Sequence, residues 1–462
     1  MYLYKYKEVK LSQKGEKMLI RFVVSNYRSF NSKQLFSMVA GKQSRHRDHL
    51  IVTNGKRMLK GSIMYGANAS GKSNFIKAMR FGRDVLFHGS IPKYIDGQYF
   101  RIDPEGKNRN GEFQYDFISN GHIYSYGFAI SYEKMRFVEE YLYLCDSNDE
   151  YAVFDRTEDG ITTDFDYQEN RRRFEIYAED VADNKSFLME IVQKKIMNLP
   201  QFSYYFDAIE WFRSLYFIFP ESMYNDIRQL MKEDSRTKLN RLMRYFDTGI
   251  ESVENIERPI EEIFAFLSDD VRNEIINSVR ENLNEKSEDD GEMAERIVNL
   301  SFNGKMFSFS ENRDGDIVAT QMVMNHGNPD SLFELDDESD GTQRLFDLVP
   351  IYMVGKENCV ILIDELDRSF HTKLTIEFIK KFYEKTKGNQ SQLIATLHDA
   401  NVMNLQNLRQ DEIWFIERNE DKSSEIYSLN RYKERFDHSV AKDYLLGRYG
   451  AIPVFENWGD VE

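Results

Sequence analysis

Cysteine is nearly absent: Cys145 and Cys359 are the only two in 462 residues. That excludes a disulfide framework and any CxxC metal clip or zinc hook. Long apolar runs are lacking too. None approaches the roughly 18 residues needed to cross a bilayer, and the N-terminus has no apolar signal-peptide core. No membrane partner is therefore expected, and a cytoplasmic location is the default. Heptads are not sustained, which argues against a long coiled-coil arm. His46 and His49 lack a partner pair at metal-ligand spacing and read as solvated. What is present is a globular composition, 41 % apolar and 14 % aromatic, over a length that suggests two or three domains. The net charge is −16, yet residues 1–60 hold 14 Lys/Arg against 3 Asp/Glu. Such a segment either meets nucleic acid or an acidic partner, or is the solvated face of an ordinary sheet.

Residues 1–17 are Lys-rich and patternless, whereas Met18 opens LIRFVVSNYRSF, which reads as a first strand. Met18 is thus expected to be the true start and 1–17 an extension. Beyond it, an apolar stretch ending at Tyr65 leads into Gly66-Ala67-Asn68-Ala69-Ser70-Gly71-Lys72-Ser73-Asn74, which fits GxxxxGK[ST] at every fixed position. The glycines permit a tight turn whose N–H groups converge on a triphosphate, and a following helix points its positive end there. Lys72 would reach the β- and γ-phosphates and the Ser73 hydroxyl would ligate Mg²⁺. Phe75, Ile76, Met79 and Leu86 recur at roughly helical spacing after it. Arg28, in the stretch Asn26-Tyr27-Arg28-Ser29-Phe30, is a further candidate nucleotide contact.

Residues 97–165 read as antiparallel β. Phe113, Tyr115 and Phe117 alternate, Asn120-Gly121 turns, and Tyr124, Tyr126 and Phe128 alternate back. Residues 166–297 read mainly as helix, with an acidic tail, 281–295, expected to be a mobile loop. Alternation returns at Val298, Leu300 and Phe302, with a turn at Asn303-Gly304. The expected division is therefore 18–165 for one half of a head with its β-lobe, 166–297 for a helical insertion, and 298–462 for the other half.

Val360-Ile361-Leu362-Ile363 followed by Asp364-Glu365 reads as a buried strand ending in two carboxylates. Asp364 would hold the Mg²⁺ shell and Glu365 would orient the attacking water. Upstream, Ser339-Asp340-Gly341-Thr342-Gln343-Arg344 opens an apolar helix and offers an N-cap or an anion cradle. Downstream, Gln392–Asp399 reads as a strand ending in His398, placed to hydrogen-bond a γ-phosphate and sense its hydrolysis.

These elements in this order resemble the ATP-binding-cassette ATPases of the SMC, RecF and OLD type. The resemblance implies that Ser339 and Gly341 act in trans, completing the ATP site of a second subunit. The familiar LSGGQ stands here as Glu338-Ser339-Asp340-Gly341-Thr342, without the leading Leu and first Gly, and Leu366–His371 resembles the SLH ending of the OLD and RecF-like groups, with Phe370 in place of Leu. A glutamine loop is not evident; Gln98 is the candidate Mg²⁺ ligand. More closely, NYRSF, YGANASGKSN, SDGTQR, DEIWFIE and the ending YLLGRYGAIP resemble the RloA/AbiL-type AAA-family ATPases of bacterial abortive-infection systems and, more distantly, the ATPase of the PARIS defence system. That implies a phage-defence ATPase working with a separately encoded nuclease or toxin, RloB-like or of TOPRIM type, and answering to a phage trigger.

The expectation is an α/β ABC-type P-loop NTPase head with an antiparallel β-lobe and a helical insertion. It would bind ATP and Mg²⁺, hydrolyse ATP between paired copies, and use Lys72, Glu365 and His398 as catalytic groups. Two alternatives stay open: a RecF- or SMC-like DNA-maintenance ATPase that binds DNA, and a nucleotide-dependent scaffold without turnover.

Overall fold

The computed structural model describes residues 15–53, 55–146, 149–194, 199–220, 233–265, 267–284, 297–302, 305–312, 315–353, 357–432 and 434–453. The chain forms two compact units: Met1–Pro220 with Glu357–Asp367 and His371–Glu462, and Glu221–Lys356 with Arg368–Phe370.

In the first unit β1 (Lys17–Ser25) pairs antiparallel with β2 (Gln34–Ser37), and the hairpin of β3 (Leu50–Thr53) and β4 (Lys56–Leu59) precedes the fully buried β5 (Gly61–Tyr65). Helix α1 (Lys72–Phe87) follows. Then β6 (Gly111–Ser119), β7 (His122–Ser131), β8 (Arg136–Leu144), β9 (Tyr151–Thr157) and β10 (Gly160–Thr162) form an antiparallel meander that continues from β1 into one seven-stranded sheet. Its first turn is the expected one. Asn120 and Gly121 have φ of +50° and +87°, and Ser119 faces His122, so the loop is two residues long. Positive φ at both positions gives the twist that a two-residue hairpin needs. The alternating aromatics then pair across the strands, Phe113 with Phe128 at 5.0 Å and Phe117 with Tyr124 at 5.4 Å between ring centroids.

β11 (Leu215–Ile218) closes this stretch. The second unit holds β12 (Ser252–Pro259), β13 (Ile297–Phe302), β14 (Lys305–Glu311), β15 (Ile317–Asn325) and the short β16 (Leu332–Phe333) in an antiparallel sheet, packed with helices Glu233–Tyr245 and Asp269–Asn284. Its core includes Ile260, Phe264, Val279, Phe307 and Phe309. The chain returns to the first unit with β17 (Val360–Ile363), β18 (Gln392–Thr396), β19 (Ile413–Arg418) and β20 (Ser424–Ser428). These complete a six-stranded sheet in the order β11-β17-β18-β5-β19-β20, parallel except for β20. β5, β17 and β18 are buried at every residue, as strands covered on both faces must be, and so appear as apolar runs without alternation.

The fold is thus mixed α/β with an antiparallel lobe, as expected, but the unit boundaries differ. Helices Arg171–Asp180, Phe187–Val192 and Ser203–Arg213 belong to the first unit. Trp211 stacks on Phe117 at 4.3 Å and Phe212 meets Tyr115 edge-on at 5.1 Å, so their aromatic face is core of the β-lobe. The strands β13 to β16 lie with the second unit, which is therefore not mainly helical. Residues 281–284 are the end of a helix and not a loop; the rest of the acidic tail, 285–295, and the Asn303-Gly304 turn lie outside the described residues. So do residues 1–14, while Lys17 is already paired in β1. Among the described residues no helix is long and apolar enough to cross a membrane.

Candidate functional site

Strand order brings the motifs together. β5, β18 and β17 are consecutive parallel neighbours, so the loop after Tyr65, the segment after Thr396 and the carboxylates after Ile363 leave the same edge of one sheet. Ligands of open α/β sheets bind at that carboxyl edge.

The loop 66–73 turns through Ala69 at φ +60° and Gly71 at φ +113°, and Gly71 caps α1 without a side-chain hydrogen bond. The first N–H groups of the helix are thereby left for an anion. A Cβ at Gly71 would fall 2.4 Å from Ser424 Oγ and 2.8 Å from Ser29 Oγ. Those two serines brace the loop: Ser424 Oγ donates to Ser70 O at 2.6 Å, Asn74 Nδ2 donates to Ser29 Oγ at 2.9 Å, and Ser424 N donates to Ser29 O at 2.7 Å. Lys72 folds back across the turn, donating from Nζ to Gly66 O at 2.6 Å and Ala67 O at 3.1 Å. Burial pushes its ammonium down from the ordinary lysine range, and Asp364, Asp367 and Glu365 oppose that shift. Ala67 and Ser73 are half-buried, and Asn68 and Ala69 are exposed. Ser70 Oγ is buried without a protein partner.

Asp364 is 2 % exposed. Its Oδ1 accepts from Thr396 Oγ1 at 2.7 Å, and the same hydroxyl accepts from Glu365 N at 2.8 Å. One threonine thus fixes both acidic residues. Glu365 stands at φ +51°, turned out of the strand, with Oε1 3.7 Å from His398 Nε2. Asp367 Oδ2 accepts from the backbone N of His398 at 2.8 Å and of Asp399 at 2.7 Å, holding the turn that presents the imidazole. Thr396 and Asp367 belong to no motif of the sequence that marks them as site residues. Their only signal there is a hydroxyl residue ending one apolar strand and a third acid following the Asp-Glu pair.

Arg28 and Gln98 come together through the backbone, Arg28 N donating to Gln98 O at 2.6 Å. The Arg28 guanidinium lies against Tyr27, with Nε 3.3 Å from its hydroxyl, and Gln98 Nε2 donates to Tyr94 O at 3.4 Å. Ser339 and Gly341 belong to the second unit. Ser339 caps the helix Asp340–Leu348, its Oγ accepting from Thr342 N at 3.2 Å, and is itself exposed. A Cβ at Gly341 would lie 2.9 Å from Ser369 O, so close backbone approach accounts for that glycine.

The donor set fits the groups expected of it. A turn of free N–H groups with a buried ammonium suits phosphate, and the Ser73 hydroxyl with the Asp364 carboxylate is the hard oxygen pair that suits Mg²⁺.

Residues 62–404 match the model of a family described as "AAA domain, putative AbiEii toxin, Type IV TA system". A comparison with curated proteins gives no match. Among solved structures the chain is similar to the SMC head bound to the C-winged helix domain of ScpA, with 15 % identity and a TM-score of 0.39 over 89 % of this chain and 97 % of that one. It is also similar to the SMC head domain from Thermotoga maritima, with 14 % identity and a TM-score of 0.37 over 89 % of this chain and 98 % of that one.

Proposed function

This chain belongs to the AAA-domain family described as putative AbiEii toxin, type IV TA system, and from that premise we propose that it is a Mg²⁺-dependent ATPase of ABC type. The observation that carries the proposal is the Thr396 hydroxyl, which stands on the strand next to that of the phosphate loop and ties Asp364 and Glu365 into one fixed pair. The loop N–H groups and Lys72 bind the β- and γ-phosphates. Ser73 and Asp364 hold Mg²⁺, which when bound neutralises charge on those phosphates. Glu365 orients the attacking water and takes up its proton. His398, 3.7 Å from Glu365 and held by Asp367, reports whether the γ-phosphate is present. Arg28, next to the serine that accepts from Asn74, would contact the nucleotide, and Gln98, whose backbone O accepts from Arg28 N, would be the further Mg²⁺ ligand.

The site is completed in trans by Ser339 and Gly341 of a second copy, so that ATP holds two heads together. We assign the chain the role of sensor and regulatory subunit of an anti-phage, abortive-infection system acting in the cytoplasm. It answers to a phage-derived trigger and controls a separately encoded nuclease or toxin. The family description, which names a putative toxin of a type IV TA system, supports placing the chain in a toxin-bearing system. Glu365→Gln tests the chemistry: turnover falls by roughly 10²-fold or more, while ATP stays bound and a dimer accumulates. Unchanged turnover would remove the water-orienting role from Glu365. The basic segment 1–60 favours a second reading, a DNA-maintenance ATPase. DNA binding that weakens steeply with salt and stimulates turnover would support it.

A further inference from the structure

Two histidines outside the nucleotide site stand close together. His46 and His49 flank a single turn, Arg47–His49, that His46 enters at φ +48°. Contrary to the solvated reading, His49 is 5 % exposed. Its ring lies flat on Tyr383, with centroids 3.5 Å and planes 7° apart, and His46 stacks 4.9 Å from it. Both rings are oriented by acceptors. The buried Glu412 carboxylate takes His49 Nδ1 at 2.9 Å, and Leu405 O takes His46 Nε2 at 3.1 Å.

Carboxylate and carbonyl oxygens only accept, so in its neutral form, the one that binds metal, each imidazole places its one N–H there. His49 Nε2 and His46 Nδ1 are left as lone-pair donors. This is the arrangement that metal-ligating histidines show, with the second nitrogen anchored on a carboxylate or carbonyl. Asp48 adds an anionic oxygen, and one ligand atom from each of His46, Asp48 and His49 lies within 4.8 Å of the other two. Donors on one tetrahedral Zn²⁺ are about 3.4 Å apart, so the three side chains would draw together by about 1.4 Å or less to hold an ion. Lys60, near enough to Asp48 to feel its charge, donates to Thr386 O instead.

We propose that His46, Asp48 and His49 form a site for one divalent transition-metal ion of borderline softness, for which Zn²⁺ is the best match. Two imidazoles and one carboxylate suit such an ion, whereas the all-oxygen set at Ser73 and Asp364 suits Mg²⁺. The ion would tie the basic loop before β3 to the segment that runs from His398 to β19, because Leu405 and Glu412 both lie in that segment.

The test uses the full chain after chelator treatment, with Zn²⁺ alone as probe and Co²⁺ as its spectroscopic substitute. The expected result is uptake of a single tight equivalent of Zn²⁺, a rise in the thermal midpoint, and a visible Co²⁺ absorption band. His46→Ala and Asp48→Asn should each weaken binding at least about tenfold while leaving circular dichroism and ATP binding unchanged; both side chains are at the surface end of the cluster. His438→Ala, in the separate group Glu434, His438 and Asp443, should leave uptake intact. The proposal is overturned if the full chain takes up no stoichiometric Zn²⁺. It is equally overturned if uptake survives both His46→Ala and Asp48→Asn, or is lost in His438→Ala instead.

Discussion

Thr396 is the residue on which the acidic half of the site turns. Its hydroxyl donates to Asp364 and accepts from Glu365 N, so removing it frees a buried carboxylate and a backbone at positive φ together. Thr396→Val keeps the shape and deletes the bridge. It should cost about 1–3 kcal/mol of stability and lower kcat by up to about 100-fold through misplacement of Glu365, with little change in ATP affinity; denaturant unfolding and steady-state kinetics separate the two effects. Lys72 offers a test by pH. Burial lowers its pKa in the folded chain, so between that value and the ordinary lysine range the unfolded state binds the extra proton and stability rises with pH. Phosphates restore the charged form. ATP affinity should therefore begin to fall at a pH below that expected of an ordinary lysine, and Lys72→Met should remove that dependence from calorimetric binding curves.

At the scale of elements, the hairpin of β6 and β7 rests on its turn. Gly121 at φ +87° pays no Cβ penalty there, and open space surrounds it, so the cost of Gly121→Ala is conformational alone. We expect a loss of about 1–2 kcal/mol, read as a lower denaturant midpoint, with an unchanged KM for ATP. The phosphate loop behaves differently because its support is remote. Ser29 and Ser424 hold it from either end of the first unit's sequence, and the two are joined to each other through Ser424 N and Ser29 O. Ser424→Ala should weaken ATP binding with a stability loss near 1 kcal/mol, the reverse of the hairpin variant.

At the scale of the whole molecule, the proposed pairing of heads predicts complementation. A Lys72→Met chain keeps its signature and a Ser339→Arg chain keeps its phosphate loop, so a mixture contains dimers with one intact composite site. Each variant alone should be inactive and the mixture should recover a part of the turnover. Wild-type turnover per chain should rise with protein concentration until the dimer saturates. Recovery that fails in a mixture shown to form heterodimers would place Ser339 in no such site. Ser339 also caps its helix, so the Ser339→Arg chain should be checked for a loss of roughly 0.5–2 kcal/mol first.

Much of this was legible locally. The phosphate loop, the apolar strand ending in Asp364-Glu365 and the Asn120-Gly121 hairpin are each encoded in fewer than about twenty consecutive residues, because turn chemistry, helix starts and strand burial act at short range. The sequence by itself therefore determined that a nucleotide loop, two carboxylates and an antiparallel lobe exist. Only the tertiary structure decided what they face. Thr396 reaches Asp364 because β18 lies beside β17, Ser424 reaches Ser70 across 354 residues, and His49 finds Glu412 across 363. The unit boundaries were equally out of reach, since Trp211 and Phe212 join the core of the β-lobe through aromatic packing and not through chain proximity. Periodicity reports which face of an element is buried; it carries no term for the element that buries it, and strand order, which supplies that neighbour, is settled by the packing of the whole chain.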